Sequence, residues 1–380
     1  MQEDTSPFLF GTNVSEAAFV NRDDETRRLA LNFRSGIHTI MISPRRWGKS
    51  SLVLETARRM KTEKKIRFCL IDLFSIHNEQ EFYEALCREA IKATSNKAED
   101  WMKAGREFFK SILPRFSVGV DPQNDFSVSF DWKQAEQHRN EILQMSEDIA
   151  RKKGIRLVIC INEFQNIKSF RDSEKIEKNL RAIWQHHKSV SYCLYGSKRH
   201  MMTDIFDSPS RAFYRFGDMF FLQKISKAHW EKFIVGKFLS TGKSIAHELA
   251  AKIAETMNNH SYYVQQLAHL VWMHTPKKAT EETFQFALNE LMNFNALFYQ
   301  TIIENLSNTQ INFLNAVIKG VEKFTSVDAM RSYQLGTPRN VSKSRTALEN
   351  ADIIDVSNGK VSMLDPAFEL WLRREYFRTF

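Results

Sequence analysis

Short apolar runs alternate with amphipathic segments of helical spacing in the first part of the chain. The runs have the length and β-branched content of buried strands, and they lie at residues 38–43, 66–74, 156–161, 190–195 and 219–222. Between them, apolar residues recur every three or four positions, as across residues 26–33, 48–60, 79–94 and 173–186. Strands that alternate with helices favour a mostly parallel sheet with helices on both faces. The pattern therefore predicts an α/β fold with a three-layer core.

One segment inside this part of the chain has a different period. Residues 115–120 and 126–130 alternate apolar and polar side chains around a turn-forming sequence, Asp-Pro-Gln-Asn-Asp at 121–125. Such alternation around a turn is typical of a β-hairpin. We expect a hairpin insertion near residues 115–131, within a core domain that spans residues 1–226.

The strand pattern stops after this core. Residues 227–300 have helical spacing and are predicted to form a helical lid, and residues 301–380 to form a winged helix-turn-helix domain. Three helices followed by a two-stranded hairpin characterise that domain. The helices are expected at residues 309–320, 326–332 and 341–350, and the wing strands at 353–356 and 360–364.

Composition narrows the class of protein only slightly. No stretch reaches the roughly 20 apolar residues that span a bilayer, and the acidic N-terminus has no secretory pattern. Because Cys69, Cys87, Cys160 and Cys193 include no closely spaced pair of the metal-binding kind, we expect free thiols in a reducing compartment. A cytoplasmic protein without a membrane partner follows. The net charge of +9 permits a nucleic-acid partner and equally fits a basic surface.

The candidate chemistry begins after the first predicted strand. Residues 43–50 are Ser-Pro-Arg-Arg-Trp-Gly-Lys-Ser and lead into a predicted helix. A phosphate-binding P-loop requires backbone N–H groups at a helix N-terminus, a lysine for the β- and γ-phosphates and a hydroxyl for Mg²⁺. Gly48, Lys49 and Ser50 meet these needs, although Ser43 stands where glycine is usual. The predicted ATP-binding residues are Ser43, Pro44, Arg45, Arg46, Trp47, Gly48, Lys49, Ser50 and Ser51.

A second element supports a nucleotide site. The strand at residues 156–161 ends in Asn162-Glu163, where P-loop ATPases have Asp-Glu. The aspartate orients Mg²⁺ through water, and the glutamate polarises the attacking water. Asn162 keeps the shape but loses the charge, so Mg²⁺ affinity or catalysis should suffer; a strand that merely ends in polar residues is the alternative. We predict Ser50 and Asn162 as metal ligands and Lys49 and Glu163 as catalytic residues, with ATP binding better supported than hydrolysis.

Two further positions are candidates for contact with the γ-phosphate. The strand that ends before Ser197 is expected beside the Glu163 strand, so Ser197 or Lys198 could contact the γ-phosphate or position water. A turn chosen for its small residues is the alternative. Arg211 and Arg215 precede the last strand, a place from which ring-forming ATPases often donate an arginine to a neighbour. A surface arginine in local ion pairs is the alternative for either one.

Six motifs follow one another along nearly the whole chain. They are Phe-Val-Asn-Arg-Asp-Asp-Glu at 19–25, Pro-Arg-Arg-Trp-Gly-Lys-Ser at 44–50, Asn-Glu-Phe-Gln at 162–165, Gly-Ser with a following Met at 196–202, Asn-His-Ser-Tyr-Tyr-Val-Gln at 259–265, and Asp-Pro-Ala-Phe-Glu-Leu-Trp at 365–371. Together they resemble a prokaryotic ATPase-domain family described first in archaea, in the AAA-like and STAND branch of P-loop proteins. Three positions depart from the family pattern: Ser43 for Gly, Asn162 for Asp and Ser261 for Pro.

The resemblance implies a nucleotide-controlled switch in which the lid and the winged helix move against the core. It places the opening box near the base, which makes Val20 and Arg22 candidate ATP contacts. The lid proline of the family packs on adenine, so Ser261 puts that contact in doubt. Family members have been linked to defence, mobile elements and DNA transactions.

The third helix of the winged domain is a candidate DNA-recognition helix. It carries the cations Arg339, Lys343 and Arg345. Its small hydroxyl residues could contact phosphates or base edges, and they are Ser342, Ser344 and Thr346. Nearby carboxylates dilute the positive field, at Glu349, Asp352, Asp355 and Asp365. The alternative is a domain that packs on the core or on a partner.

Two functions therefore fit the sequence. The first is an ATP- and Mg²⁺-binding ATPase, slow or dependent on assembly, that acts as a switch through its lid and winged helix. The second is a non-hydrolysing, ATP-bound adaptor for DNA or protein. Asn162 favours the second, whereas Lys49, Ser50 and Glu163 favour the first. The expected partners are ATP, double-stranded DNA, and either a second copy or another protein.

Overall fold

The apolar runs form one parallel sheet. The computed structural model of the protein describes residues 5–13, 19–95, 114–117, 126–357 and 359–378. The strands of the sheet are β1 Thr39–Ile42, β2 Ile66–Asp72, β5 Arg156–Asn162, β6 Val190–Gly196 and β7 Asp218–Phe221. Their order is β2-β5-β6-β1-β7, and every neighbouring pair is parallel. Since the carboxyl ends of parallel strands share one edge, the residues after β1, β5 and β6 are brought together there.

Helices cover both faces of this sheet. They are α1 Asp23–Ser35, α2 Lys49–Arg59, α3 Glu79–Thr94, α4 Trp132–Gln137, α5 Arg139–Lys153, α6 Ser173–Trp184 and α7 Arg199–Asp207. Phe33 of α1 meets Phe68 of β2 with ring centroids 5.6 Å apart. The next strand residue, Cys69, faces the other way and belongs to one apolar cluster with Phe82 of α3. The three-layer α/β fold predicted from the pattern is confirmed.

The hairpin is also present. β3 Arg115–Ser117 and β4 Ser127–Ser129 pair antiparallel in a sheet of their own. The turn expected at residues 121–125 lies outside the described residues. Two helices follow the hairpin, α4 and α5, with His138 between them.

The rest of the chain is helical until its last hairpin. Its elements are α8 Lys227–Ser240, α9 His247–Thr256, α10 Ser261–Met273, α11 Glu281–Glu304, α12 Asn308–Ile318, α13 Val327–Ser332, α14 Pro338–Asn350, β8 Ile354–Ser357, β9 Lys360–Met363 and α15 Pro366–Trp371. β8 and β9 pair antiparallel after three helices, so the predicted winged helix is present. The third of these helices begins at Pro338, earlier than expected, because Thr337 accepts a hydrogen bond from the Asn340 N–H as its N-cap.

The described residues fall into two compact units, Arg22–Gln223 and Met1–Asn21 together with Lys224–Phe380. In the second unit Phe8 packs against Phe233 and Phe238, so the N-terminal segment shares the core of the helical part. The expected boundary at residue 300 falls within the continuous helix α11. The four cysteines are buried free thiols. Within the described ranges, no helix is long and apolar enough to cross a membrane.

Candidate functional site

The loop between β1 and α2 has the geometry of an anion-binding loop. It joins a fully buried strand to the first residue of a helix, Lys49. Gly48 caps that helix with φ 94°, a left-handed conformation that glycine adopts without steric cost. No acidic residue lies in the first turn of α2. The positive end of the helix dipole is therefore not neutralised from within the helix.

Ser43 fits the place where glycine is usual. Its side chain is fully buried, and its N–H donates to the Gly196 carbonyl at 3.1 Å. Its hydroxyl donates to the Pro44 carbonyl at 3.2 Å, so the buried polar atom is satisfied within the loop. The start of the loop is thereby fixed to the end of β6.

Lys49 is held at the carboxyl edge of the sheet by Glu163. Nζ and Oε1 are 2.6 Å apart, and the two side chains are only 9% and 11% exposed. The other carboxylate oxygen of Glu163 accepts hydrogen bonds from Gln165 Nε2 at 2.5 Å and from Ser197 Oγ at 2.8 Å. The predicted neighbours Lys49, Glu163 and Ser197 thus meet in one network.

The charge of Glu163 follows from these contacts. Burial raises the pKa of the carboxyl, but the Lys49 cation and the hydrogen bonds from Lys49, Gln165 and Ser197 outweigh it, so its pKa lies below the ordinary value. Glu163 is consequently a carboxylate paired with a cation. An anion bound at the loop would compete with Glu163 for Lys49.

Gly196 joins this network to the loop. A Cβ added there would lie 2.0 Å from Gln165 Oε1 and 2.8 Å from Met202 Sδ. Only glycine lets the end of β6 approach Gln165 this closely while its carbonyl accepts from Ser43. A single backbone position therefore supports both the loop and the carboxylate.

Asn162 has a side-chain oxygen that can bind a cation. Its amide nitrogen donates to Asp72 Oδ1 at 3.2 Å. Its amide oxygen is buried and accepts no hydrogen bond from any described residue. Such an oxygen fits a hydrated Mg²⁺, which keeps several waters and takes few protein ligands. Ser50 is half-buried in the first turn of α2 and can supply a hydroxyl.

Arg22 supports the loop through a hydrogen bond to the loop backbone. It is 4% exposed and donates to the Trp47 carbonyl at 3.3 Å, the Gln223 carbonyl at 2.6 Å and Glu25 at 2.9 Å. Burial lowers the pKa of Arg22, and Glu25 opposes that effect. Its contact with adenine stays a prediction. Val20, the other residue of that expectation, belongs to the second unit and is buried in its core.

The remaining predicted residues of this unit differ in how they are held. Arg45 and Arg46 are exposed, Trp47 is half-buried, and Pro44 and Ser51 are buried. Arg215 is exposed, with its guanidinium 5.2 Å from the Tyr214 ring centroid. Arg211 instead pairs with Glu174 at 3.1 Å and Glu177 at 2.9 Å, which are the local ion pairs of the alternative interpretation.

The surface of α14 carries the other candidate site. Arg339, Lys343 and Arg345 are all exposed, and none is in an ion pair with a residue that the structure describes. Ser344 is 5% exposed in the core of the domain, so it is a packing residue and its expected contact with DNA is wrong. Asp365 caps α15 by accepting from the Ala367 and Phe368 N–H groups.

Two residues of the first site were missed at the level of sequence. Asp72 was not recognised as the end of a strand, because strand β2 was predicted to continue to residue 74, although it ends at Asp72. Gln165 was noted only as part of a motif, yet it donates to Glu163 and is 1% exposed. The polar residue directly after the apolar run at 66–71 was the available clue for Asp72.

Comparison with known proteins agrees with this architecture. Residues 297–374 match the model of a family described as a probable winged helix domain. A Walker-type ATPase of Pyrococcus abyssi aligns with 94% of this chain and 97% of its own length, at 14% identity and a TM-score of 0.65. The ORC2 protein of Aeropyrum pernix, solved as ADPNP–ADP complexes, aligns with 98% of this chain and 95% of its own, at 13% identity and a TM-score of 0.56. No curated relative matches the chain by sequence.

At these identities the likeness establishes the fold. The chain has the α/β P-loop fold of Walker-type ATPases followed by a winged helix domain. The resemblance to archaeal-type P-loop ATPases is therefore confirmed at the level of architecture. Nucleotide, metal and DNA are treated below as proposals.

Proposed function

We propose that the chain binds ATP with Mg²⁺ at residues 43–51 and hydrolyses it slowly or on assembly, as a nucleotide-controlled switch with a helical lid and a winged helix. The observation that carries the proposal is the buried pair of Lys49 and Glu163, 2.6 Å apart, at the N-terminus of α2. The pair places a cation at the N-terminus of a helix that follows a P-loop, and phosphate is the anion that such loops bind, in competition with Glu163 for Lys49.

Each residue then has a defined role. Lys49 and the N-terminus of α2 hold the β- and γ-phosphates, while Ser50 and Asn162 are the metal-side ligands. Mg²⁺ would neutralise charge that develops on the phosphates. Glu163 is the general base for the attacking water, and Ser197, which donates to it at 2.8 Å, orients it. Arg215 is the candidate for donation to a neighbouring copy.

The same contacts support slow turnover. Glu163 is bound by Lys49, Gln165 and Ser197, which lower its pKa and so weaken it as a base. Asn162 lacks the charge that an aspartate would add beside the metal. An ATPase with these two features needs a partner or a second copy to approach ordinary rates.

Steady-state phosphate release tests the proposal. Glu163→Gln should lower the rate by at least ~100-fold because the general base is lost, whereas ATP binding should not weaken, because the variant keeps the loop and Lys49 and removes the carboxylate that competes with phosphate. The conservative exchange Gln137→Glu, at an exposed position on α4 of the same unit, is a surface control and should leave the rate unchanged. An active parent that is indifferent to Glu163→Gln would reject Glu163 as the base.

The adaptor remains the alternative. In that case the parent releases no phosphate at any protein concentration, yet binds ATP, and Asn162→Asp creates activity. That result would make ATP a structural ligand. A rate that rises with protein concentration would instead support dependence on assembly.

Double-stranded DNA is a second candidate ligand. The observation that favours it is the exposed basic face of α14, on which Arg339, Lys343 and Arg345 have no ion pair among the described residues. Replacing all three with Gln should abolish salt-dependent duplex binding. Replacing Lys232, Lys277 and Lys278, which are exposed in the same unit outside the winged helix, should not. Equal binding by both triple variants would exclude this helix.

A further inference from the structure

Asn162, the neutral residue at the end of β5, lies beside the carboxylate of Asp72 at the end of β2. These strands are parallel neighbours, and Asp72 is in register with Asn162. Asn162 Nδ2 donates to Asp72 Oδ1 at 3.2 Å. The usual acidic position of P-loop ATPases is thus neutral here, while a carboxylate stands one strand away.

This hydrogen bond determines which way the amide of Asn162 is turned. An ionised carboxylate can only accept, so only the nitrogen of Asn162 can bond to Asp72. The oxygen is left on the other side, buried and without a hydrogen-bond partner among the described residues. The side chain of asparagine has one oxygen, whereas that of aspartate has two. The orientation of the asparagine amide therefore decides whether it can bind a cation.

Asp72 is itself fixed. The same oxygen accepts the backbone N–H of Phe74 at 3.0 Å, which caps the short helical turn Leu73–Ser75. Its carboxylate therefore has a defined position without help from Asn162. It also brings a negative charge to the edge of the sheet where Asn162 has none.

We propose that Asp72 is a positioning residue for Mg²⁺: it holds the Asn162 amide with its oxygen available to the hydrated cation, and it supplies the charge that Asn162 lacks. This inference rests on the proposed binding of Mg²⁺ and ATP. Partners of a metal ligand typically change metal affinity by roughly 10–100-fold when they are removed. The departure at Asn162 is then compensated from the neighbouring strand.

The test measures binding, not turnover. A fluorescent ATP analogue is titrated into each variant, once with Mg²⁺ and once with EDTA. The quantity compared is the ratio of the affinity with Mg²⁺ to the affinity with EDTA. Asp72→Asn should lower that ratio by about tenfold, because the variant loses the charge at this edge of the sheet. The oxygen of the new amide still accepts from Phe74, so the cap is retained. The affinity in EDTA should not change.

An exchange of the two residues gives the sharper result. The double variant Asp72→Asn with Asn162→Asp returns one carboxylate to this edge of the sheet, now at the end of β5, and should restore the ratio to within about threefold of the parent. Asn162→Asp alone adds a second carboxylate at this edge of the sheet and should raise the ratio above that of the parent. Asp131→Asn is the matched control, since Asp131 also caps a helix in this unit by accepting a backbone N–H.

The outcomes separate the two proposals. A parent that binds no ATP analogue overturns the proposed function and this inference together. A parent that binds the analogue, with a ratio unaffected by Asp72→Asn or an exchange that fails to restore it, overturns the role of Asp72 alone. A lower ratio in Asp131→Asn would show a general effect of removing a carboxylate and would also overturn it.

Discussion

Two basic regions of this chain hold their charges in opposite ways. The Lys49 side chain is 9% exposed and lies 2.6 Å from the Glu163 carboxylate, in a network that continues through Gln165 and Ser197. Arg339, Lys343 and Arg345 on α14 are exposed and, in the described part of the chain, form no ion pair. The first region is built from few charges that depend on one another, the second from separate charges.

This difference in burial and ion pairing determines which kind of ligand each region can bind. Removing one member of a buried pair leaves the other uncompensated, which costs about 3–5 kcal/mol, so the loss is large and specific. Exposed cations contribute small, roughly additive amounts that salt screens. The loop region should therefore bind one ligand through a defined geometry, and α14 should bind a polyanion through its field.

The largest effect is expected at Lys49. Lys49→Ala removes the cation of the loop and should weaken binding of an ATP analogue by at least ~100-fold, since charged hydrogen bonds and the ion pair are both lost. Isothermal titration calorimetry measures the change. Lys61→Ala, an exposed lysine just after α2, should leave it unaltered. Retained binding in Lys49→Ala would remove the loop from the site.

Acid should destabilise the unit that contains the loop, because its core holds histidines that stay neutral in the folded state. Helix α14 contains no histidine. Burial lowers the pKa of His187 and of His38 from 6.5 to about 4. The unfolded chain takes up these protons near pH 6.5 and the folded chain does not, so stability is full above that pH and falls between about pH 6.5 and 4.

The loss should be on the order of 2–3 kcal/mol per histidine. Urea unfolding at pH 7 and pH 4.5 measures it. His187→Gln should reduce the difference between the two pH values, whereas His186→Gln, at the exposed neighbouring position, should not. An equal reduction in both variants would contradict the assignment to His187.

A smaller effect is expected at Arg22. Arg22→Lys cannot reproduce the fork that reaches the Trp47 and Gln223 carbonyls, so the loop should loosen and affinity for the ATP analogue should fall about tenfold. Arg27→Lys is the control on the same helix, since the Arg27 side chain is 77% exposed. An effect of Arg22→Lys on stability without one on binding would assign Arg22 to the fold alone.

The smallest effect is expected on α14. Lys343→Gln should lower the slope of duplex affinity against salt by about one and weaken binding only several-fold. ATP binding should be unchanged. Fluorescence anisotropy with labelled duplex across a salt series provides the slope, with Lys278→Gln as the control. A loss confined to one DNA sequence would indicate base contact in place of phosphate contact.

Much of this arrangement follows from the sequence because it depends on local pattern. Strands β1, β5 and β6 are mostly apolar and buried, and the parallel order places the residues that follow them at one edge. The motifs at the ends of these strands accordingly predict Gly48, Lys49 and Glu163 as neighbours. The prediction that the strand before Ser197 lies beside the Glu163 strand is confirmed by the parallel pairing of β5 with β6, and Ser197 donates to Glu163 at 2.8 Å.

What the sequence could not provide depends on contacts across the sheet. Whether Asp72 meets Asn162 is decided by the register of β2 against β5, which no local pattern encodes. The burial of Ser344 depends similarly on which side of α14 packs inward, and its neighbours Ser342 and Lys343 remain exposed. A shift of one position on a helix moves a side chain by about 100°, so near misses of this kind are expected.

Helix α11 has a mechanical consequence. It runs without interruption through Glu281–Glu304, and the matched winged helix region begins inside it at residue 297. At 1.5 Å per residue its 24 residues make a rod about 36 Å long. A tilt of about 10° at one end of such a rod displaces the other by about 6 Å. A small rotation at Glu281 would therefore become a displacement of about one helical turn at Glu304.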